Sequence, residues 1–458
     1  MTGNLFGTTG VRKVYGSEFD PIMALELGKA LGTYLDKGTI LLARDARTTG
    51  SMIADAFSSG VMSTGVNVVR AGIIPTPTLA YNTMVRGFDT GVMVTASHNP
   101  PEYTGIKFWR ADSMGYTKEE ERELEAIYET GEFQIASWDR LGTESVSDVD
   151  VRTHIEAILD QVNSKAIAEQ RFKIAVDPGN GAACVMTPYL LRKLGCKVIT
   201  LNAQLDGHFP GRPSEPEEEN LSDLINITKE AQADIGIAHD GDADRVTFVT
   251  SKGEFIRGDR VIALLAREMI KRSENKTVVT TVDSSLVLDE TVEKAGGNTI
   301  RTPVGDIEVA LKIKEARAAI GGEACGVYIL PWFHLAPEPF LASCMILELI
   351  AEKKQSFAEL ISEIPEYPLT KGKVHCDNSM KAGVMKKLQD LLPQNLGKIR
   401  EIVKVDGIGL FLDDGWILVR PSGTEPVIRV TCEAFSEDRV NSLLAKAKDI
   451  VSETVEDT

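Results

Sequence analysis

Long apolar runs are missing from this chain of 458 residues, and none is long enough to span a bilayer, so no membrane segment is expected. Cysteine is scarce and scattered. The six residues, at positions 184, 196, 325, 344, 376 and 432, include no Cys-x-x-Cys pair. That argues against a zinc site or a disulfide framework and makes reduced thiols the default. Positive charge is in deficit: 50 Lys and Arg stand against 67 Asp and Glu, a net charge of −17. Such a surface serves solubility and repels nucleic acid and anionic membranes, so an anionic ligand needs a locally basic pocket. Small phosphorylated molecules remain admissible partners. Residues Met1 to Gly10 carry neither a basic region nor an apolar stretch with a small-residue cleavage site, so a cytoplasmic location is expected.

What is present is ordinary globular composition, 43% hydrophobic and 26% charged, in a chain too long for one core. Three or four domains are the natural count. Strand-like runs at Thr39 to Ala43, Asn67 to Ile73 and Gly91 to Thr95 alternate with a helix from about Met52 to Ser63, which is α/β patterning. A polar stretch from Lys118 to Asp148 reads as a helix and an exposed connection, closing a first domain at 1–150. A second, 151–252, holds a βαβ unit: strand Phe172 to Val176, helix Ala182 to Leu194, strand Lys197 to Leu201. The Pro- and Glu-rich run from Phe209 to Glu219 reads as a surface loop, followed by a strand from Asp234 to Ala238. A third α/β block, 253–365, carries strands at Thr277 to Val282, Thr299 to Arg301 and Ala318 to Ile320. The last, 366–458, changes to α+β, with a helix near Met380 to Leu392, four strand-like runs between Ile402 and Cys432, and a final helix.

Asp240, Asp242 and Asp244 lie in the run His239-Asp240-Gly241-Asp242-Ala243-Asp244-Arg245, just past a predicted strand. Alternate residues of an extended segment face one side, so three carboxylates are expected to converge. At roughly 7 Å spacing and an effective dielectric near 20, each neighbouring pair repels by about 2 kcal/mol, and a divalent cation relieves it. Mg²⁺ suits three side chains plus a substrate phosphate better than Ca²⁺ does. An EF-hand is excluded, because Arg245 and Ser251 stand where Gly and a bidentate Glu belong.

A second constellation follows the strand ending near Thr95: Thr95-Ala96-Ser97-His98-Asn99-Pro100 puts a hydroxyl and an imidazole where α/β sheets place ligand residues. Ser97 is the candidate nucleophile. His98 does not simply serve as its base, since neighbouring side chains of an extended segment point apart. The same residues also suit a turn or a helix cap. Leu5-Phe6-Gly7-Thr8-Thr9-Gly10-Val11-Arg12 is a glycine-rich loop ending in a cation, and Lys107 follows Gly105-Ile106. Arg420-Pro421-Ser422-Gly423-Thr424-Glu425-Pro426, with Arg429, combines guanidinium, hydroxyls and flexible backbone N–H groups. That donor set fits a dianionic phosphate, and it also fits a hairpin turn.

Taken together and in this order, the serine loop, the aspartate loop and the Arg420 loop resemble the α-D-phosphohexomutase superfamily, which includes phosphoglucomutase, phosphomannomutase and phosphoglucosamine mutase. The resemblance covers essentially the full chain. It implies four domains around a central cleft, three related α/β mixed-sheet domains and a C-terminal α+β domain. It further implies that Ser97 is phosphorylated in the active enzyme and that Asp240, Asp242, Asp244 and one phosphoserine oxygen hold Mg²⁺. Arg12 and Arg245 would add positive charge beside the transferring oxygens, Lys107 would be the acid/base, and His98 would stand in the same catalytic group. The implied cycle passes a phosphoryl group from Ser97 to a sugar monophosphate and takes one back from the opposite oxygen. A hexose 1,6-bisphosphate is then both intermediate and activator.

The third domain departs from the family pattern. Gly322-Glu323-Ala324-Cys325-Gly326-Val327 keeps Glu323 but has Cys325 for a serine and Val327 for a residue that is often histidine. Glu323, Cys325, Thr302 and Gly305 are the sugar-binding candidates, and Arg420, Ser422, Gly423, Thr424 and Arg429 the phosphate-binding ones. His334, seven residues after Val327, is a candidate to replace the missing imidazole, and it equally suits a partly exposed loop histidine. Similarity to archaeal phosphoglucosamine mutases favours interconversion of glucosamine 6-phosphate and glucosamine 1-phosphate. Phosphomannomutase, phosphoglucomutase and phosphopentomutase activities compete, as do a phosphatase and a binding protein without turnover. Monomer and homodimer both remain open.

Overall fold

The computed structural model describes residues 5–7, 9–146, 149–422 and 425–458. The chain forms two compact units, residues 1–258 with 325–360 and residues 259–324 with 361–458. Among the described residues no helix is long and apolar enough to cross a membrane. No disulfide joins any of the six cysteines.

The first unit contains two mixed sheets. In one, Thr90–Val94, Thr39–Arg44, Asn67–Ile73 and the short edge strand Glu144–Val146 run parallel, while Tyr103–Arg110 is antiparallel to Thr90–Val94. Val11–Val14 closes the other edge, with Arg12 opposite Gly105. The strand carrying Lys107 and the edge strand at 144–146 were not legible as strands. Helix Lys118–Thr130 starts where the sequence places it, held by a capping box in which Thr117 and Glu120 exchange side-chain and backbone hydrogen bonds.

In the other sheet Lys173–Asp177, Lys197–Thr200 and Ile235–His239 are parallel, and Val246–Thr250 returns antiparallel with Val246 opposite His239. The helix expected over Ala182 to Leu194 is broken. A 3₁₀ turn at Ala182–Val185 precedes helix Thr187–Lys193, because Pro188 has no N–H for a continuous ladder and is tolerated only in a first turn. The run from Phe209 to Glu219 is also more than a surface loop. Phe209, Arg212 and Ser214 are buried, and Arg212 donates to Asp177 Oδ2 at 2.9 Å and to the His239 carbonyl at 2.6 Å.

The second unit joins an α/β sheet to an antiparallel one. Asn298–Thr302, Thr277–Thr281 and Ile320–Glu323 are parallel. Leu369–His375, Val427–Ala434, Gly415–Pro421, Ile408–Leu412 and Ile399–Val403 form a five-stranded sheet, antiparallel throughout. Helices Lys381–Asn395 and Glu437–Glu456 cover one face, burying Val384, Leu388 and Leu392 with Val440, Leu443, Ala447 and Val451 at three- and four-residue spacing. Pro421 and Arg420 end the strand that leads into the predicted phosphate loop.

Candidate active site

Ser97 sits just beyond strand Thr90–Val94, at φ 49°, so the chain leaves the extended form there. The left-handed turn is held by the Thr95 hydroxyl, which accepts from Ser97 N at 2.8 Å, and by Arg47 from the segment after strand Thr39–Arg44. Arg47 uses all five guanidinium N–H groups. They reach Asp45 Oδ2 at 3.2 Å and the carbonyls of Pro100, Tyr103, Ser97 and Asn99 at 2.6, 2.9, 2.9 and 2.6 Å. Because Ser97 is turned, the expectation that it and His98 point apart is wrong: Ser97 Oγ lies 3.3 Å from His98 Nδ1.

The three aspartates do converge, although not along an extended segment. They occupy the connection between antiparallel strands Ile235–His239 and Val246–Thr250, with Ala243 at φ 61°. One ligand atom from each lies within 4.8 Å of the others, closer than an extended spacing would give. A Cβ at Gly241 would fall 2.6 Å from the Ser97 carbonyl oxygen, so only glycine lets the two loops touch backbone to backbone. Ser97 Oγ donates to Asp240 Oδ2 at 2.9 Å. Lys107 Nζ bridges Asp242 Oδ2 at 2.9 Å and Asp244 Oδ2 at 2.7 Å. Asp242 Oδ1 and Asp244 Oδ1 are buried without a hydrogen-bond partner among the described residues. Bare oxygens on clustered, buried carboxylates are what a cation site requires.

The charges respond to burial and to each other. Burial, then the neighbouring Asp244 and Asp242, push the Asp240 carboxyl well up. Burial also penalises a charged Asp242, but the Lys107 ammonium outweighs it and holds Asp242 below the usual carboxylate range. Burial and the charges of Arg245, Arg12 and Lys107 keep His98 neutral. Arg12 belongs to this group: its charge acts on His98, Lys107 and Asp242, and its Nε is buried without a partner among the described residues.

Glu215 was missed by the sequence reading. It comes from the supposed surface loop, pairs with Arg245 Nη1 at 2.5 Å and lies 3.4 Å from His98 Nδ1. Ser214 Oγ donates to the His98 carbonyl at 2.7 Å. Ser97, His98 and Glu215 do not form a hydrolytic relay, because serine and glutamate both address the same ring nitrogen.

His334 does not serve as a sugar-loop imidazole. It is buried, its Nε2 lies 2.7 Å from Glu338 Oε2 and its Nδ1 accepts from Ala336 N at 3.1 Å. Glu338 Oε2 also meets His154 Nε2 at 2.9 Å, while Oε1 accepts from Leu341 N at 2.9 Å and caps helix Pro339–Lys353. Glu338 is thus a buried tie between two histidines. Cys325 lies close enough to Arg245 to act on its charge.

In the second unit, Gly305 N donates to Glu323 Oε2 at 3.2 Å, bringing two sugar-loop candidates together. Thr302 is buried and its hydroxyl donates to the Pro303 carbonyl at 2.9 Å. Arg420 pairs with Asp406 at 2.7 Å, and the same carboxylate accepts from Val304 N at 3.4 Å. Arg420 and Arg429 stand directly opposite on adjacent strands, an arrangement of like charges that an anion stabilises. Arg429 reaches Glu425 at 2.6 Å, and Ser422 Oγ accepts from Glu425 N at 3.1 Å. Gly423 and Thr424 lie outside the described residues.

Four family models cover nearly the whole chain. They are the phosphoglucomutase/phosphomannomutase alpha/beta/alpha domains I, II and III, over residues 3–135, 152–253 and 257–367, and the C-terminal domain over 373–450. The chain is 43% identical over 455 residues, 99% of each chain, to a probable phosphoglucosamine mutase of Methanopyrus kandleri. It is 40% identical over 458 residues, again 99% of each, to a phosphoglucomutase/phosphomannomutase of Thermococcus kodakarensis. Among solved structures it is similar to a phosphoglucomutase/phosphomannomutase family protein of Burkholderia thailandensis, with a TM-score of 0.86 and 26% identity over 98% of this chain and 97% of that one.

Proposed function

The chain belongs to the phosphoglucomutase/phosphomannomutase family, and from that premise we propose that it is a Mg²⁺-dependent phosphohexomutase interconverting glucosamine 6-phosphate and glucosamine 1-phosphate. The observation that carries the chemistry is Ser97 Oγ, 2.9 Å from Asp240 in a cluster of three buried aspartates with bare oxygens. The choice of sugar rests on the relatives named as probable phosphoglucosamine mutases.

Asp240, Asp242, Asp244 and the phosphorylated Ser97 would hold the ion. When bound, Mg²⁺ neutralises phosphoryl charge and polarises the phosphorus for in-line transfer. The P–O bond at Ser97 breaks as one forms to the free hydroxyl of the sugar monophosphate, giving the 1,6-bisphosphate. The sugar oxygen loses a proton and the Ser97 oxygen gains one, and Lys107 is the residue assigned to that exchange. Its ion pairs with Asp242 and Asp244 outweigh burial and raise its pKa, so it starts protonated, ready to supply the serine. Arg245, anchored by Glu215, and Arg12, whose Nε has no partner among the described residues, contribute fixed positive charge. Neutral His98 lines the Ser97 oxygen. The second transfer, with the sugar turned, runs the same steps in reverse and regenerates phosphoserine without net hydrolysis. Arg420, Ser422, Gly423, Thr424 and Arg429 are proposed to grip the phosphate that is not being transferred. Glu323, Cys325, Thr302 and Gly305 are proposed to meet the sugar.

A kinetic panel of glucosamine, mannose, glucose and ribose phosphates, with catalytic sugar bisphosphate, tests the reading. Glucosamine 6-phosphate is expected to give the highest kcat/KM. A higher value for mannose or glucose phosphate reassigns the sugar, equal inactivity on all defeats the mutase reading, and steady release of inorganic phosphate marks a phosphatase.

A further inference from the structure

Asp242 is held by a residue outside the serine and aspartate loops. Helix Thr76–Arg86 opens with Pro75-Thr76-Pro77, and Pro77 has no N–H to offer. Thr76 supplies two donors to one partner: its N–H reaches the Asp242 carbonyl at 2.9 Å and its hydroxyl reaches Asp242 Oδ2 at 2.8 Å. Lys107 Nζ takes that same oxygen at 2.9 Å. Two donors thus commit Oδ2 to the protein, while Oδ1 stays buried and bare.

The helix that presents Thr76 is itself fixed. Two residues on, Thr78 Oγ1 lies 3.0 Å from His154 Nδ1, and His154 continues to Glu338 at 2.9 Å. The Tyr81 ring stacks on His154 at 4.8 Å and on Phe333 at 5.1 Å. Thr76 is fully buried, so neither of its bonds to Asp242 is open to replacement by solvent. A ligand carboxylate gripped from a rigid support is oriented before its ion arrives, and removing such a partner typically costs about 10–100-fold in metal affinity.

We infer that Thr76 is a positioning residue for the cation, fixing the Asp242 carboxylate so that Oδ2 remains with the protein and Oδ1 is left for the metal. This rests on the cation reading proposed above. The test is Mn²⁺ titration of the full-length, unphosphorylated chain, following free Mn²⁺ by electron paramagnetic resonance. Thr76→Val, nearly isosteric and without the hydroxyl, is expected to bind Mn²⁺ about 10–100-fold more weakly, and Thr76→Ser to bind within a few-fold of the parent. Thermal midpoints identify any variant that fails to fold. If valine is not accommodated, Thr76→Ala against Thr76→Ser makes the same comparison. Parent-like Mn²⁺ affinity in Thr76→Val, or equal losses in the serine and hydroxyl-free variants, overturns the role of the hydroxyl while leaving the enzyme reading intact. A parent chain that takes up no Mn²⁺, or an Asp240→Ala variant that takes it up undiminished, removes the cation reading and this inference with it.

Discussion

Arg47→Met replaces the guanidinium beneath the serine loop with a shorter, unbranched apolar side chain. Five donors disappear at once, and the Asp45 carboxylate, fully buried, keeps only the Thr95 hydroxyl at 2.6 Å and the backbone N–H of residue 47 at 2.9 Å. Removing one partner of a buried ion pair costs about 3–5 kcal/mol. The Ser97 carbonyl, whose bond to Arg47 is buried, adds about 1 kcal/mol, whereas the carbonyls of residues 99, 100 and 103 lie near enough to solvent to be rehydrated. The sum is about 4–6 kcal/mol, a factor of roughly 10³–10⁴ in the folding equilibrium. Urea unfolding followed by the fluorescence of Trp109, buried in the same unit, measures it. Arg47→Lys should fall between the two, since an ammonium keeps the charge but not the planar fork. Turnover should fall as well, by on the order of 10²-fold, because Ser97 is no longer held in its left-handed turn. A methionine variant within about 1 kcal/mol of the parent would refute the argument that this guanidinium supports the loop.

Glu215→Gln should lower kcat by roughly tenfold with a smaller change in KM, because a charge-assisted bond to Arg245 becomes a neutral one; steady-state kinetics on the preferred sugar phosphate measure the split. Glu338→Gln should destabilise the chain by about 3 kcal/mol at pH 7, the lower end for breaking a buried pair, since the amide oxygen still accepts one imidazole N–H. Burial alone would raise the Glu338 pKa, but His154 and His334 more than offset it, so the folded value lies below the ordinary 4.5. Its stabilisation is therefore complete above about pH 4.5 and is lost as pH falls toward the folded value. Denaturation midpoints of parent and variant should differ by a constant amount from pH 7 to 5 and converge in more acid solution.

The chemistry-bearing residues were legible because each lies in a short run with its own logic: clustered aspartates, a serine past a strand, arginines beside a flexible loop. Their geometry was less so. Asp240, Asp242 and Asp244 were expected to share a face of extended chain, yet they converge through a turn whose shape depends on Ala243 at φ 61°. Ser97 and His98 meet because Ser97 is also left-handed, which no local propensity for serine announces. Arg47, Thr76 and Glu215 escaped notice for a different reason. Each acts across tens to more than a hundred residues of sequence, on Ser97, Asp242 and His98 respectively. An Asp-x-Arg after a strand, or Pro-Thr-Pro at a helix start, carries no sign of its partner. His334 was misplaced because its partners are Glu338, one turn on, and through it His154, far away in the chain. His154 lies in helix Val151–Leu159, whereas His334 and Glu338 precede helix Pro339–Lys353, so no local run announces that the three are buried together. The strand at Thr39–Arg44 was found because its apolar run Ile40 to Ala43 is unbroken, whereas strand Tyr103–Arg110 is interrupted by Gly105 and by Lys107, whose charge is neutralised only in the folded site.

The most direct test of the account is the intact mass of the chain before and after incubation with Mg²⁺ and a hexose 1,6-bisphosphate. The parent is predicted to gain one phosphoryl group and to pass it to the sugar monophosphate on further incubation, and Ser97→Ala is predicted to gain none. No uptake by the parent, or equal uptake by Ser97→Ala, would contradict the assignment of Ser97 as the phosphoryl carrier.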